Sequence, residues 1–191
     1  MKLRLRLLTL VIVMWLGVPL PAAAAECADL WQWLNVACRH VSDTFTQGRR
    51  SLLLSGYSWH TPWTWTAEKR AEENAYAWGG GPALVRENES GNTEIVYFLV
   101  FSDSHYEAEY NLGYAWSTYW GPRNGVQAGL GYTAMLIARP DIANGWPFPA
   151  VLPLFSLRYD RLTLISTYIP NFNGGVNNGS VFYFFGMVGL E

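Results

Sequence analysis

Charge of either sign is scarce in this chain: Asp, Glu, Lys and Arg make up only 15% of its residues. Three of the 13 basic residues, Lys2, Arg4 and Arg6, stand at the extreme N-terminus, which leaves ten against 15 acidic ones in the remainder. No basic block exists, which argues against a nucleic-acid partner. Cysteine is scarcer still. Cys27 and Cys38 are the two, and neither their spacing nor their neighbours form a metal-ligand pattern. Past residue 25 no apolar run is long enough for a transmembrane helix. Yet half of the residues are hydrophobic and 16% are aromatic. A hydrophobic chain without a spanning helix leaves two classes, a soluble β-rich domain or a closed transmembrane barrel.

The first 25 residues have the layout of a secretory signal. Lys2, Arg4 and Arg6 open it, Leu7 to Val18 form a short apolar core, and Ala22 to Ala25 offer a small-residue cleavage site. Residues 1–25 are therefore expected to be a signal peptide, 26–48 a periplasmic amphipathic helix, and 49–191 one barrel domain. The helical reading rests on Leu30, Trp33, Leu34, Ala37, Val41 and Phe45, which recur at helical spacing within 28–46. Such a helix suits a membrane interface, and packing on a soluble barrel suits it nearly as well. In a continuous helix the two cysteines would stand roughly 16 Å apart, whereas a disulfide needs Cα atoms within about 7 Å. The pair is bridged only if the segment bends or frays; otherwise both thiols are free.

After Gly48 the periodicity becomes that of strands. Eight are predicted, over 50–60, 75–87, 93–103, 106–120, 126–138, 151–159, 161–170 and 180–190. Most of the connections alternate between short and long, the habit of outer-membrane barrels. The fourth strand is the most telling. Tyr110, Leu112, Tyr114, Trp116, Thr118 and Trp120 share one face, while Glu109, Asn111, Gly113, Ala115, Ser117 and Tyr119 share the other. The fifth strand repeats this, with Val126, Ala128, Leu130, Tyr132, Ala134 and Leu136 opposite Gln127, Gly129, Gly131, Thr133, Met135 and Ile137. Large groups outside and small ones inside describe a wall facing lipid around a roomy interior. The third and eighth strands are apolar on both faces, as expected if that interior holds a hydrocarbon chain. The fold class is thus all-β: an eight-stranded antiparallel transmembrane β-barrel preceded by an amphipathic helix. The Gly-x-Trp signature of soluble lipid-binding lipocalins is absent, because Gly56 and Trp59 are three apart.

Strand parity brings distant residues to one rim. His60 ends the first strand, and Asp103 with Ser104 ends the third. A His can act as base for a hydroxyl, and a carboxylate can orient it. Turn chemistry alone also accounts for Asp-Ser at a strand end. Successive residues of a strand face opposite ways, so both meet His60 only where the strand ends or bulges. His105 is the weaker competitor, and His40, on the helix, is expected at the surface.

These residues stand in a longer pattern. It comprises Ser58-Trp59-His60, Trp78-Gly79-Gly80-Gly81, Phe101-Ser102-Asp103-Ser104, Gly113-Tyr114-Ala115-Trp116, Gly129 to Ala134, Pro149 to Leu154, and Thr167-Tyr168-Ile169-Pro170. In order and spacing it resembles the lipid A palmitoyltransferase (PagP) family, from the helix to the last strand. The resemblance implies an outer-membrane enzyme that moves an acyl chain from a phospholipid donor to a lipid A acceptor, as a monomer or weak homodimer and without metal or cofactor. It implies catalytic roles for His60, Asp103 and Ser104. It places the acyl-binding wall at Gly113 and the floor of the acyl pocket at Ala115, where the family has glycine. An extra methyl there predicts an acyl chain slightly shorter than palmitoyl. A lateral lipid gate is implied at Pro153 and Pro170, since proline removes a ladder donor. The family's second proline pair is replaced by Ser55 and Ala77, so a second opening must arise otherwise. The chain also ends Leu190-Glu191 rather than in the aromatic residue usual for such barrels.

Overall fold

A computed structural model describes Cys27 and residues 31–171 and 179–190. The predicted signal peptide and most of the loop 171–179 lie outside the described residues. Helix α1 (Gln32–Gln47) leads into β1 (Arg49–His60), a short helix α2 (Ala67–Glu72), and then β2 (Gly79–Glu87), β3 (Thr93–Ser102), β4 (Ala108–Trp120), β5 (Gln127–Ala138), β6 (Phe148–Tyr159), β7 (Leu162–Ile169) and β8 (Val181–Gly189). The eight strands close into one barrel in sequence order, every neighbour antiparallel. Closure leaves no free edge.

The predicted faces of β4 and β5 are those observed. Glu109, Asn111, Ala115, Ser117 and Thr133 are buried, whereas Tyr110, Leu112, Leu130, Tyr132 and Leu136 are exposed. The exposed apolar set continues around the wall through Leu54, Val151, Phe155, Leu157, Leu162 and Leu164. Water would penalise such a band, and hydrocarbon would not. Predicted strand ends shift by a few residues. β6 begins at Phe148 rather than 151, and β2 begins at Gly79 rather than 75, with only an isolated Tyr57–Tyr76 bridge preceding it.

Helix α1 packs on the outside of β2 and β3 near the end where β1 starts. Its anchor is Glu94, an outward-facing carboxylate with no exposed surface. Glu94 accepts from Thr44 Oγ1 at 3.0 Å and Asn88 Nδ2 at 2.8 Å, and lies 2.7 Å from His40 Nδ1. A buried carboxylate without such partners is costly. His40, expected at the surface, is therefore half-buried against Glu94. Arg86 on β2 reaches Asp43 of the helix at 2.9 Å. Trp31 and Trp33 remain exposed. Cys27 and Cys38 are bridged, with Cα atoms 5.8 Å apart. Of the two open alternatives this is the bent segment: α1 starts at Gln32, so Cys27 falls in a turn before it.

Inside, the barrel changes character with height. Beside the β6–β7 turn, Arg158 donates to Gln127 Oε1 at 2.8 Å and to Thr93 Oγ1 at 3.1 Å and lies 3.9 Å from the Tyr119 ring centre. Above this polar plug comes a packed layer that includes Leu53, Ile95, Ala115, Ile165 and Met187. Towards the opposite rim the interior opens.

Candidate active site

The opening is a well of about 250 Å³. Its depth is apolar, lined by Leu99, Phe101, Met135, Ile137, Leu152 and Leu154 among others. Its mouth is polar, with His60, Glu73, Asp103, Ser104, Glu109 and Arg139. An amphipathic substrate fits this gradient, with tail down and polar end at the rim.

His60 reaches the mouth by a local device. In β1 the inward residues are Ser51, Leu53 and Ser55, then Ser58 and His60. The parity changes between Ser55 and Tyr57, where the register against β8 shifts by one. Gly56 is the extra residue of a β-bulge, and a bulge re-aims the side chains beyond it. Without it His60 would face outward with Leu54. With it, His60 is buried and its Nε2 lies 3.0 Å from Ser104 Oγ. The Trp65 ring meets the imidazole edge-on at 5.0 Å.

Ser104 follows the end of β3 at Ser102, so strand alternation no longer binds it. Both Asp103 and Ser104 line the well. Asp103 is buried but turns away from His60. Its Oδ1 accepts the backbone N–H of His105 at 2.8 Å and of Glu107 at 2.9 Å. Its Oδ2 lies 3.4 Å from Arg139 Nη2. Asn74 holds the same loop, its backbone N–H donating to the Ser104 carbonyl at 2.8 Å and its side chain to the Asp103 carbonyl at 3.2 Å. The structure thus brings His60 and Ser104 together and uses Asp103 to shape the loop that carries Ser104. His105 turns towards Asp103, with Nδ1 at 3.7 Å from Oδ2.

Sequence reasoning missed Arg139, just beyond β5, which meets Asp103, Glu109 at 3.7 Å and Asp141 at 2.8 Å. The only signal for it was Glu109, an inward carboxylate needing a counter-charge. Glu73, in the loop before β2, was missed as well; burial pushes its carboxyl upward. Asp103, His105 and Asp141 hold potential metal-ligand atoms within 4.8 Å of one another. The Arg139 guanidinium already supplies positive charge to the two carboxylates, so a cation would compete with it.

Residues 40–187 match the family described as "Antimicrobial peptide resistance and lipid A acylation protein PagP". The chain belongs to this family. A protein of Methylobacillus flagellatus named "Lipid A acyltransferase PagP" is 38% identical over 173 residues, covering 91% of this chain and 92% of the relative. Proteins of the same name from Bordetella pertussis and Legionella pneumophila are 37% and 33% identical, covering 88% and 100% of this chain and 91% and 100% of the relatives.

In this PagP-family barrel two regular ladders stop short of the rim that carries His60. The β6–β7 ladder stops at Leu154 and Thr167, one residue short of Pro153. The Pro153 carbonyl accepts from Thr167 Oγ1 at 2.8 Å and so points at β7. In an antiparallel strand the N–H of a residue points the same way as its carbonyl, so the donor that proline lacks is missing on this seam. Pro170 follows directly after β7. The β1–β2 ladder stops at Leu54 and Gly80. Beyond it the N–H groups of Ala77 and Ser58 still bond the Gly56 and Ala75 carbonyls at 3.2 and 2.8 Å, and the Ser55 hydroxyl bonds the Ala77 carbonyl and lies 2.5 Å from the Tyr183 hydroxyl. Where the resemblance expects a second proline pair, this chain has a bulge and a side-chain stitch. Gly113 lies against Tyr97 on the wall of the barrel, and Ala115 lines a small separate void of about 20 Å³ beneath the well.

Proposed function

We propose that this chain is an outer-membrane enzyme that transfers an acyl chain from a phospholipid to lipid A. The observation that carries the reading is a His60–Ser104 pair, 3.0 Å apart, at the mouth of a blind apolar well. The names of its relatives and the apolar outer wall support it.

The phospholipid slides in through the β6–β7 seam, and its acyl tail descends into the well. This leaves the ester at the rim beside His60. His60 Nε2 takes the proton from the attacking hydroxyl, either that of Ser104 or that of lipid A. The hydroxyl oxygen bonds to the ester carbonyl carbon and the bond to the glycerol oxygen breaks. His60 returns the proton to that oxygen, releasing a lysophospholipid. If Ser104 attacks first, a second cycle moves the acyl group to lipid A. Asp103 positions Ser104 through the loop, and Arg139 balances the carboxylates at the mouth. The reaction needs no metal or cofactor, because the donor ester is already activated.

Mass spectrometry of lipid A from cells with and without this chain tests the reading. An added acyl mass that vanishes with His60→Ala or Ser104→Ala is expected. An unchanged lipid A profile would reject it.

A further inference from the structure

We propose that Tyr106 is a platform on which a sugar ring of the acceptor, lipid A, stacks while an acceptor hydroxyl is presented to His60. The inference rests on the acyltransferase reading above and names a residue that binds the acceptor.

Tyr106 lies at the tip of the turn between β3 and β4. Asp103 closes this turn. Its backbone N–H donates to the Glu107 carbonyl at 2.8 Å, and its carbonyl accepts the N–H of Tyr106 at 3.2 Å. Its carboxylate accepts the N–H groups of His105 and Glu107. Ser104, His105 and Tyr106 thus form a three-residue hairpin loop. The last residue of such a loop takes the left-handed conformation, and Tyr106 does so with φ at 64°. There the Cβ crowds the backbone, so glycine or asparagine is the low-cost choice. Among the described residues Ala143, Asn144 and Asp160 are the other non-glycine positions with positive φ, and all three are small. A bulky residue in this region is an outlier.

Nothing in the fold offsets that strain. The Tyr106 side chain is 75% exposed. Among the described residues its hydroxyl has no hydrogen-bond partner and its ring no aromatic partner. A strained backbone that turns an unsupported ring outward serves binding rather than stability.

Position identifies the ligand. The wall ends at Ser102 and Ala108, so Tyr106 stands past the lipid-facing strands, whereas an exposed ring such as that of Tyr110 lies on a strand. Ser104 and His105 line the well and Tyr106 does not. Two residues of chain separate it from Ser104, so its Cα lies within about 7 Å of the Ser104 Cα. The donor's tail occupies the well, and the molecule at the rim beside Ser104 is the acceptor. Lipid A carries a sugar headgroup. The C–H groups of a sugar face pack on the electron-rich face of an aromatic ring. Hydroxyls at the sugar's edge need acceptors, and exposed His105 and Glu107 flank the ring, with Asp141 4.0 Å from His105 Nδ1. Asp103 holds platform and nucleophile in one turn, so a sugar seated on Tyr106 has a fixed place relative to Ser104.

The test is steady-state transfer by the full chain in detergent–lipid micelles, with lipid A varied at fixed phospholipid and phospholipid varied at fixed lipid A. In Tyr106→Asn the apparent KM for lipid A is expected to rise about tenfold, equivalent to about 1.4 kcal/mol, while that for phospholipid stays within about twofold. Tyr106→Phe keeps the ring and should hold the KM for lipid A within about twofold of the wild type. Tyr106→Asn also relieves the strain, so its urea midpoint of unfolding should move up. An unmoved KM for lipid A in Tyr106→Asn would overturn the inference. So would an equal rise in both KM values, the mark of a membrane anchor, and so would a lowered midpoint or a failure to fold, which would mean that the tyrosine supports the turn. In those cases transfer by the wild type leaves the acyltransferase reading standing. No product from any donor with the wild type would sink that reading, and this inference with it.

Discussion

The two halves of the barrel obey different rules. The half near α1 is filled: Leu53, Ile95, Ala115, Ile165 and Met187 are almost fully buried, and Arg158 closes the space below with hydrogen bonds. The half near His60 is hollow, with two ladders that stop short and a collar of charged groups. Packing stabilises the first half, and the second half holds the open well and the His60–Ser104 pair. On the function proposed above, stability and chemistry are separated by height along the same strands. Changes in the hollow half should alter transfer and spare the fold, and changes in the filled half should do the reverse.

The sharpest test deletes Gly56. Removing the bulge returns β1 to one parity and turns His60 towards the outer face. Transfer should fall by roughly 10²-fold or more, the usual loss of a general base, while the heat-modifiable mobility of a folded barrel persists on gels. Retained transfer would mean that the bulge does not aim His60. The converse variant is Leu53→Ala, at a residue only 1% exposed in the filled half. It should cost about 2–5 kcal/mol of unfolding free energy in urea titrations, with transfer at low temperature intact.

Ser55→Ala lies at the border between the halves. It strands the Ala77 carbonyl and the Tyr183 hydroxyl, and should lower stability by about 1–2 kcal/mol in the same titration. Pro153→Val restores a backbone donor facing β7. One added hydrogen bond stabilises the closed seam by about 1 kcal/mol, so transfer from phospholipid should drop about fivefold. No drop would remove the β6–β7 seam as the lipid route. Asp43→Asn breaks an ion pair between α1 and the barrel whose carboxylate is 41% exposed. Its effect on stability should stay below about 1 kcal/mol.

Much of this could be read from residue order. Alternation along β4 and β5 named the inner and outer faces residue by residue, because side chains in a strand must alternate. Parity of antiparallel strands carried His60, Asp103 and Ser104 to the same rim. A glycine inside the first strand was a visible hint of a bulge, but glycine alone does not say whether the register slips. The bridge between Cys27 and Cys38 depended on where α1 begins, and periodicity defines helix ends poorly.

Local pattern, then, determined the number of strands, their faces and the rim at which His60, Asp103 and Ser104 gather, since each follows from backbone geometry repeated along one chain. Only the tertiary structure decided that Gly56 turns His60 inward, that Ser55 stitches a seam and that Arg139 meets three carboxylates. Each of these is a contact between strands or loops distant in sequence. Its existence depends on register and on the space a neighbour leaves, and the period of a single strand carries neither.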